Sequence, residues 1–178
     1  MSTKQFLLSG FGGQGILFSG KVLAYKGLIE EKQVSWLPSY GPEMRGGTAS
    51  CSVIISDEQV GSPIVSAPDI LVAMNLPSLD RFEDSVVPGG VIFYDSSLVE
   101  REVIRKDVTA VPVPATKLAG ENGFGNLANM IVMGKVLAFI GEYDDAVVEA
   151  TLKKVIPPKK ADMLDVNKKA MKLGAELA

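Results

Sequence analysis

Gly10, Gly12, Gly13 and Gly15 place four glycines within six positions, soon after the apolar run Phe6-Leu7-Leu8. Read as G-x-G-x-x-G (Gly10, Gly12, Gly15), the stretch SGFGGQGILFSG matches the dinucleotide-binding fingerprint, in which a strand passes through a glycine turn into a helix. Backbone without Cβ atoms lets N–H groups close on a phosphate at the helix N-terminus. A dinucleotide site also expects an acidic residue about 20 positions on, at the end of the second strand, to hold the ribose. Here Glu30 and Glu31 precede that strand, whose end reads Trp36-Leu37-Pro38. The fingerprint is incomplete. Three readings stay open: a dinucleotide site, a purely structural turn, or a loop facing another phosphate-bearing ligand or a partner chain. Gln14, an amide between two glycines, is either an exposed spacer or a group that presents hydrogen bonds.

The second candidate is PSYGPEMRGGTAS, Pro38 to Ser50, where Gly41-Pro42 and Gly46-Gly47 bracket Glu43 and Arg45. An arginine among glycines can offer its planar fork to a carboxylate or phosphate unhindered. The plainer reading is a surface Glu/Arg pair of little energetic weight. Asn126 precedes an apolar helical stretch and suits an N-cap. Asn129 falls in the first turn of that buried helix, where an amide needs partners from this chain or another.

Absences narrow the chemistry. The 178 residues contain no histidine and one cysteine, Cys51. The commonest general base and metal ligand is therefore missing, and no disulfide, Cys-rich zinc site or four-thiolate cluster can form within this sequence. A net charge of −3 gives no case for nucleic acid or an anionic membrane. The N-terminus does not read as a leader, and the longest apolar stretch, 127–140, falls short of the ~20 residues that span a bilayer. These features predict a cytoplasmic location and a single domain over 1–178.

The elements that must position these residues read as strands at 4–9, 33–37 (halted by Pro38), 48–56, 70–74, 91–94 and 108–113. Helices read at 16–29, 77–85, 126–140, 144–155 and 161–177, the last carrying the stripe Met163, Val166, Ala170, Leu173 and Leu177. Their alternation predicts an α/β fold, a three-layer α/β/α sandwich on a mostly parallel sheet. The excursion at 39–47, followed by a strand without an intervening helix, adds antiparallel pairing and makes the sheet mixed.

Taken together, GFGGQGI and SYGPEMRGG resemble the gamma subunit of the 2-oxoacid:ferredoxin oxidoreductases, a unit that is fused into the single-chain pyruvate enzymes. APDILVAMN (67–75), VVPGGVIFYDSS (86–97) and GNLANMIVMGKVLAFIG (125–141) extend the resemblance in order along the whole length. It implies membership of a complex that oxidatively decarboxylates a 2-oxoacid such as pyruvate, 2-oxoglutarate, 2-ketoisovalerate or indolepyruvate. Such a complex transfers the acyl group to coenzyme A and the electrons to ferredoxin, using thiamine diphosphate, Mg2+ and iron–sulfur clusters. The thiamine would lie on alpha and beta subunits and the clusters on a Cys-rich subunit, leaving this chain without catalytic or metal-ligating residues and inactive alone. Absence of a G-D-G with a downstream Asn agrees with that division. By the same resemblance Gly10, Gly12, Gly13, Gln14 and Gly15, together with Tyr40, Gly41, Pro42, Glu43, Arg45, Gly46 and Gly47, face an anion or partner at a composite site that helps bind coenzyme A. Asn126 and Asn129 also match the family pattern. The alternatives are a free-standing Rossmann-like NAD(P) oxidoreductase and a non-catalytic nucleotide-binding module.

Overall fold

The apolar run near the N-terminus becomes β1 (Thr3–Phe11), with Phe6 and Leu8 buried on one face and Leu7 and Ser9 on the other. In this computed structural model, residues 2–39 and 47–178 are described. After β1 come α1 (Ile16–Ile29), β2 (Gln33–Ser39), β3 (Thr48–Ser56), β4 (Ile70–Ala73), α2 (Leu76–Phe82) and β5 (Val91–Asp95). Next are β6 (Thr109–Val113), α3 (Ala115–Glu121), α4 (Ala128–Phe139), α5 (Asp145–Val155) and α6 (Met163–Glu176).

The sheet order is β2-β3-β1-β4-β5-β6. β3 pairs antiparallel with both β2 and β1, whereas β1, β4, β5 and β6 run parallel. The expected mixed sheet is present, and the strand that follows the excursion supplies its antiparallel part. β4 is buried along its whole length, as expected of a parallel strand covered on both faces.

The two layers that cover the sheet are unequal. Phe6, Leu8, Cys51, Val53, Val72 and Phe93 pack under α1 and α3 to α6. Leu7, Leu71, Ala73, Ile92 and Tyr94 face a thin second layer, made by Leu79 of α2 with Val86, Val99 and Val103. The chain leaving β1 thus enters a helix on one face and the chain leaving β4 a helix on the other. Adjacent parallel strands that send their helices to opposite faces open a crevice at their carboxyl ends, the usual ligand position in such sheets.

Several sequence expectations shift. β2 continues through Pro38 to Ser39, because it is an edge strand and an edge tolerates a residue without an N–H. The helix expected at 77–85 starts at Leu76, ends at Phe82, and tightens into a 3-10 turn over Glu83–Ser85. α3 was not expected at all, being one helical segment of seven residues with Gly120 inside it. On α6 the buried face is Asn167, Ala170, Met171 and Gly174, offset from the predicted stripe, and Met163 is partly exposed. The reason is the close crossing of α4 and α6. A Cβ on Gly134 would lie 1.8 Å from the Met171 carbonyl oxygen, and one on Gly174 would lie 1.8 Å from that of Ile131. Two glycines let the backbones touch, so small residues rather than large apolar ones define the seam.

Candidate functional site

The crevice between β1 and β4 is floored by the glycine loop. Gly13 (φ 93°) and Gly15 (φ 73°) both occupy the left-handed region that glycine adopts without strain. Gly15 also has no room for a side chain, since an added Cβ would lie 2.5 Å from Asn129 Nδ2. At Gly10 a Cβ would meet Gln14 Oε1 at 2.6 Å and Ile16 Cδ1 at 2.7 Å. Three of the four glycines are thus fixed by local geometry, two by dihedral angle and two by close approach, with Gly15 subject to both.

Gln14 is held within the chain. Its Oε1 accepts from Phe11 N–H (2.6 Å) and from Asn75 Nδ2 (3.5 Å), and its Nε2 donates to Met74 O (3.2 Å). The amide clamps the loop after β1 to the end of β4. Asn75 in turn caps α2, its side chain accepting from Ser78 N–H at 2.9 Å. Asn129, 4% exposed, donates to Gly15 O (3.2 Å) and Ser19 Oγ (3.0 Å), so its partners lie in this chain. Among the described residues its Oδ1 has no hydrogen-bond partner. Asn129 joins α4 to the first turn of α1 just as Gln14 joins β1 to β4.

Asn126 is not the N-cap. The cap position of α4 is Leu127, without a side-chain hydrogen bond, and Asn126 lines the crevice beside Gly125 (φ 58°). Leu98, Thr116, Ala119 and Ala128 complete the wall of a cavity of about 360 Å³, which also includes Gly12, Gly13, Gln14 and Met74. α1 likewise begins without a side-chain cap. Two helix starts therefore leave backbone N–H groups without capping side chains, an arrangement that favours an anion. Among the described residues no ionisable side chain lines this cavity.

Gly47 meets the first loop directly, its carbonyl accepting from Gly12 N–H at 3.4 Å. This follows from the β1–β3 register, which sets Phe11 opposite Thr48. Tyr40, Gly41, Pro42, Glu43, Arg45 and Gly46 lie outside the described residues. The two sequence signatures are thus adjacent at Gly47, while the placement of Arg45 is not described.

Asp95 was not singled out from the sequence. It ends β5, is fully buried, and accepts from Ser97 N–H (3.0 Å) and Thr116 N–H (3.2 Å), fixing the start of α3 against the crevice. An acidic residue at a strand end, before Ser96-Ser97, was the available signal. Cys51 lies beneath α1, where burial pushes its thiol up to about 12, far from a thiolate at neutral pH. Among the described residues no group of three His, Cys, Asp or Glu side chains could hold a metal. Glu30 is taken up by Lys26, at 2.7 Å, and offers no carboxylate to a ribose.

The family model described as pyruvate ferredoxin/flavodoxin oxidoreductase matches residues 5–177. The ketoisovalerate oxidoreductase subunit VorA of Methanothermobacter thermautotrophicus is 42% identical over 172 residues, covering 96% of this chain and 35% of the relative. This chain therefore spans about a third of that protein's length. The 2-oxoglutarate synthase subunit KorC of Methanocaldococcus jannaschii is 39% identical over 134 residues, 74% of this chain and 72% of the relative. Among solved structures, the gamma subunit of a keto/oxoacid ferredoxin oxidoreductase from Geobacter sulfurreducens superposes with a TM-score of 0.80 at 28% identity. It covers 97% of this chain and 96% of its own.

Proposed function

The chain belongs to the pyruvate ferredoxin/flavodoxin oxidoreductase family, and on that premise we propose that it acts as the gamma subunit of a 2-oxoacid:ferredoxin oxidoreductase. The crevice at the β1/β4 switch point carries the reading. It is shaped and polarised for an anion, and the described residues that line it are suited to bind and orient one. Catalysis then resides on partner chains, and this chain supplies one wall of a composite site.

The residues present fit a phosphate-bearing ligand. Gly13 has nothing within 4 Å of where a Cβ would stand, which leaves open space for a pyrophosphate to approach its backbone. Coenzyme A is the phosphate-bearing reactant of the proposed reaction, and its thiol accepts the acyl group when bound. The N–H groups of the glycine loop and of the start of α4 would hold its diphosphate, and Arg45 would add charge from the adjoining segment. Thiamine diphosphate with Mg2+, and iron–sulfur clusters, find no matching donor set among the described residues and are assigned to alpha, beta and Cys-rich partners.

The test is reconstitution with the candidate partners, following coenzyme A-dependent reduction of a viologen dye across pyruvate, 2-oxoglutarate, branched-chain 2-oxoacids and indolepyruvate. Activity should require all chains. Arg45→Ala in the assembled enzyme should raise the KM for coenzyme A about tenfold, the loss of one charge-assisted contact. Unchanged coenzyme A affinity and turnover would sink the role given to Arg45. Micromolar NAD binding by this chain alone would favour a free-standing dehydrogenase instead.

A further inference from the structure

A second depression, of about 680 Å³, lies at the corner between α5 and α6 and is nearly twice the volume of the crevice. Phe18 of α1, Leu127, Val155, Ile156 and Met163 give it an apolar wall. Met163 is 37% exposed there, although it opens a helix whose other face is packed. Along the rest of α5 and α6 most cations are paired: Lys153 and Lys168 with Glu149, Lys169 with Asp165 and Lys172 with Asp145, leaving Lys154 without an ion pair among the described residues. Lys159 and Lys160, which border the groove, form no ion pair among the described residues. Lys21 beside them stands 5.8 Å over the Tyr25 ring, also without an ion pair among the described residues, and Asp162 is the one acidic residue in the described lining. Asn167 also lines it, 3% exposed, with its amide N–H donated to Met163 O and its Oδ1 lacking a partner among the described residues.

We propose that this groove receives an acidic, apolar-anchored segment of a partner chain. The inference rests on the subunit role proposed above and names the surface and chemistry of one contact. An inorganic anion would answer the lysines and leave the apolar wall wet. An uncharged apolar molecule would cover the wall and leave Lys159 and Lys160 unmatched. A peptide segment with carboxylates flanking one or two apolar side chains satisfies both, because rim charges steer the encounter and the buried apolar centre holds it. The groove is also continuous with the proposed site. Phe18 lines both it and the hollow beside Gly13 and Gly15, and Leu127 stands between crevice residues Asn126 and Ala128. A chain seated over the glycine loop therefore reaches the groove without leaving the surface.

The experiment measures the affinity of this chain for its purified thiamine-binding and Cys-rich partners by surface-coupled binding at several salt concentrations. Lys159→Glu/Lys160→Glu should weaken assembly at least about tenfold and flatten its salt dependence, and Met163→Ser should weaken it without changing that dependence. Lys172→Glu, a single charge reversal towards the far end of α6, should leave affinity within about twofold, whereas Lys160→Glu, the matching single reversal in the groove, should not. Lys159→Gln/Lys160→Gln, a gentler change, repeats the test should the reversal unfold the chain, as judged by circular dichroism. Equal affinity for wild type and groove variants overturns the proposal while leaving the subunit role standing. Loss of self-association in sedimentation, with partner affinity unchanged, assigns the groove to a second copy and also overturns it. Failure of the wild type to bind any partner overturns both.

Discussion

Gln14 shows how one side chain fixes a loop that would otherwise be free. It bonds forward to Met74 O and backward to Phe11 N–H, so the glycine loop cannot move independently of β4. Gln14→Ala removes these bonds and the longer one from Asn75 Nδ2 at a partly exposed site, and should cost about 1–2 kcal/mol of stability in urea melts. Gln14→Glu keeps an acceptor for Phe11 N–H but turns a second carboxylate oxygen on Met74 O and puts negative charge into a crevice suited to anions. In the assembled enzyme the Glu variant should raise the KM for coenzyme A well beyond the Ala variant. Equal effects would show that the charge of the crevice does not matter to that ligand.

Among the elements, α4 links the proposed site to the far side of the molecule. Its first turn holds the glycine loop through Asn129, and its middle turns touch α6 through Gly134 and Gly174. Because the obstructing atoms at both glycines are backbone carbonyls, no side-chain rotation can make room. Gly134→Ala must separate the helices, an overpacking cost of about 2 kcal/mol that lowers Tm by about 4–8 °C. A melt unchanged within 1 °C, an error of about 0.3 kcal/mol, would contradict the crossing. Separation would also tilt the start of α4, so a weakened coenzyme A affinity should accompany the lower Tm.

For the whole molecule, ion pairs tie the chain's distant parts together. Lys26, buried on α1, reaches Glu30 and the Glu142 of the α4–α5 turn, which also pairs with Lys4 of β1. Burial alone would raise the pKa of Glu142, but hydrogen bonds from Lys4 and Lys26 outweigh it and hold the carboxyl below its ordinary value. Asp57, bonded by Lys32, and Glu149, bonded by Lys153 and Lys168, are held at about 2. A carboxyl whose folded pKa is depressed stabilises the fold above its unfolded pKa near about 4, and that contribution is lost as pH falls through the folded value. Tm should therefore be steady above about pH 5 and fall between about pH 4.5 and 2. Added salt should remove the part due to exposed Asp57 and Glu149 and leave that of Glu142. A Tm flat across this window would show that the pairs do not couple to folding.

The glycine spacing of the first loop was legible in the sequence because it is local: a turn with positive φ, as at Gly13 and Gly15, admits few residues besides glycine. The order of the strands and the mixed sheet were legible for a similar reason, since a buried parallel strand reads as a short apolar run wherever it lies, whereas the seven-residue α3 was not. What Gln14 and Asn129 do was not legible. Their partners, Met74 and Gly15, lie 60 and 114 residues away in sequence and are brought close only by the β1/β4 pairing and by α4 docking on α1. The α6 face was misplaced because hydrophobic periodicity assumes that burial follows side-chain size. At a crossing built on two glycines the backbones themselves make the contact, and only tertiary packing decides which face that is.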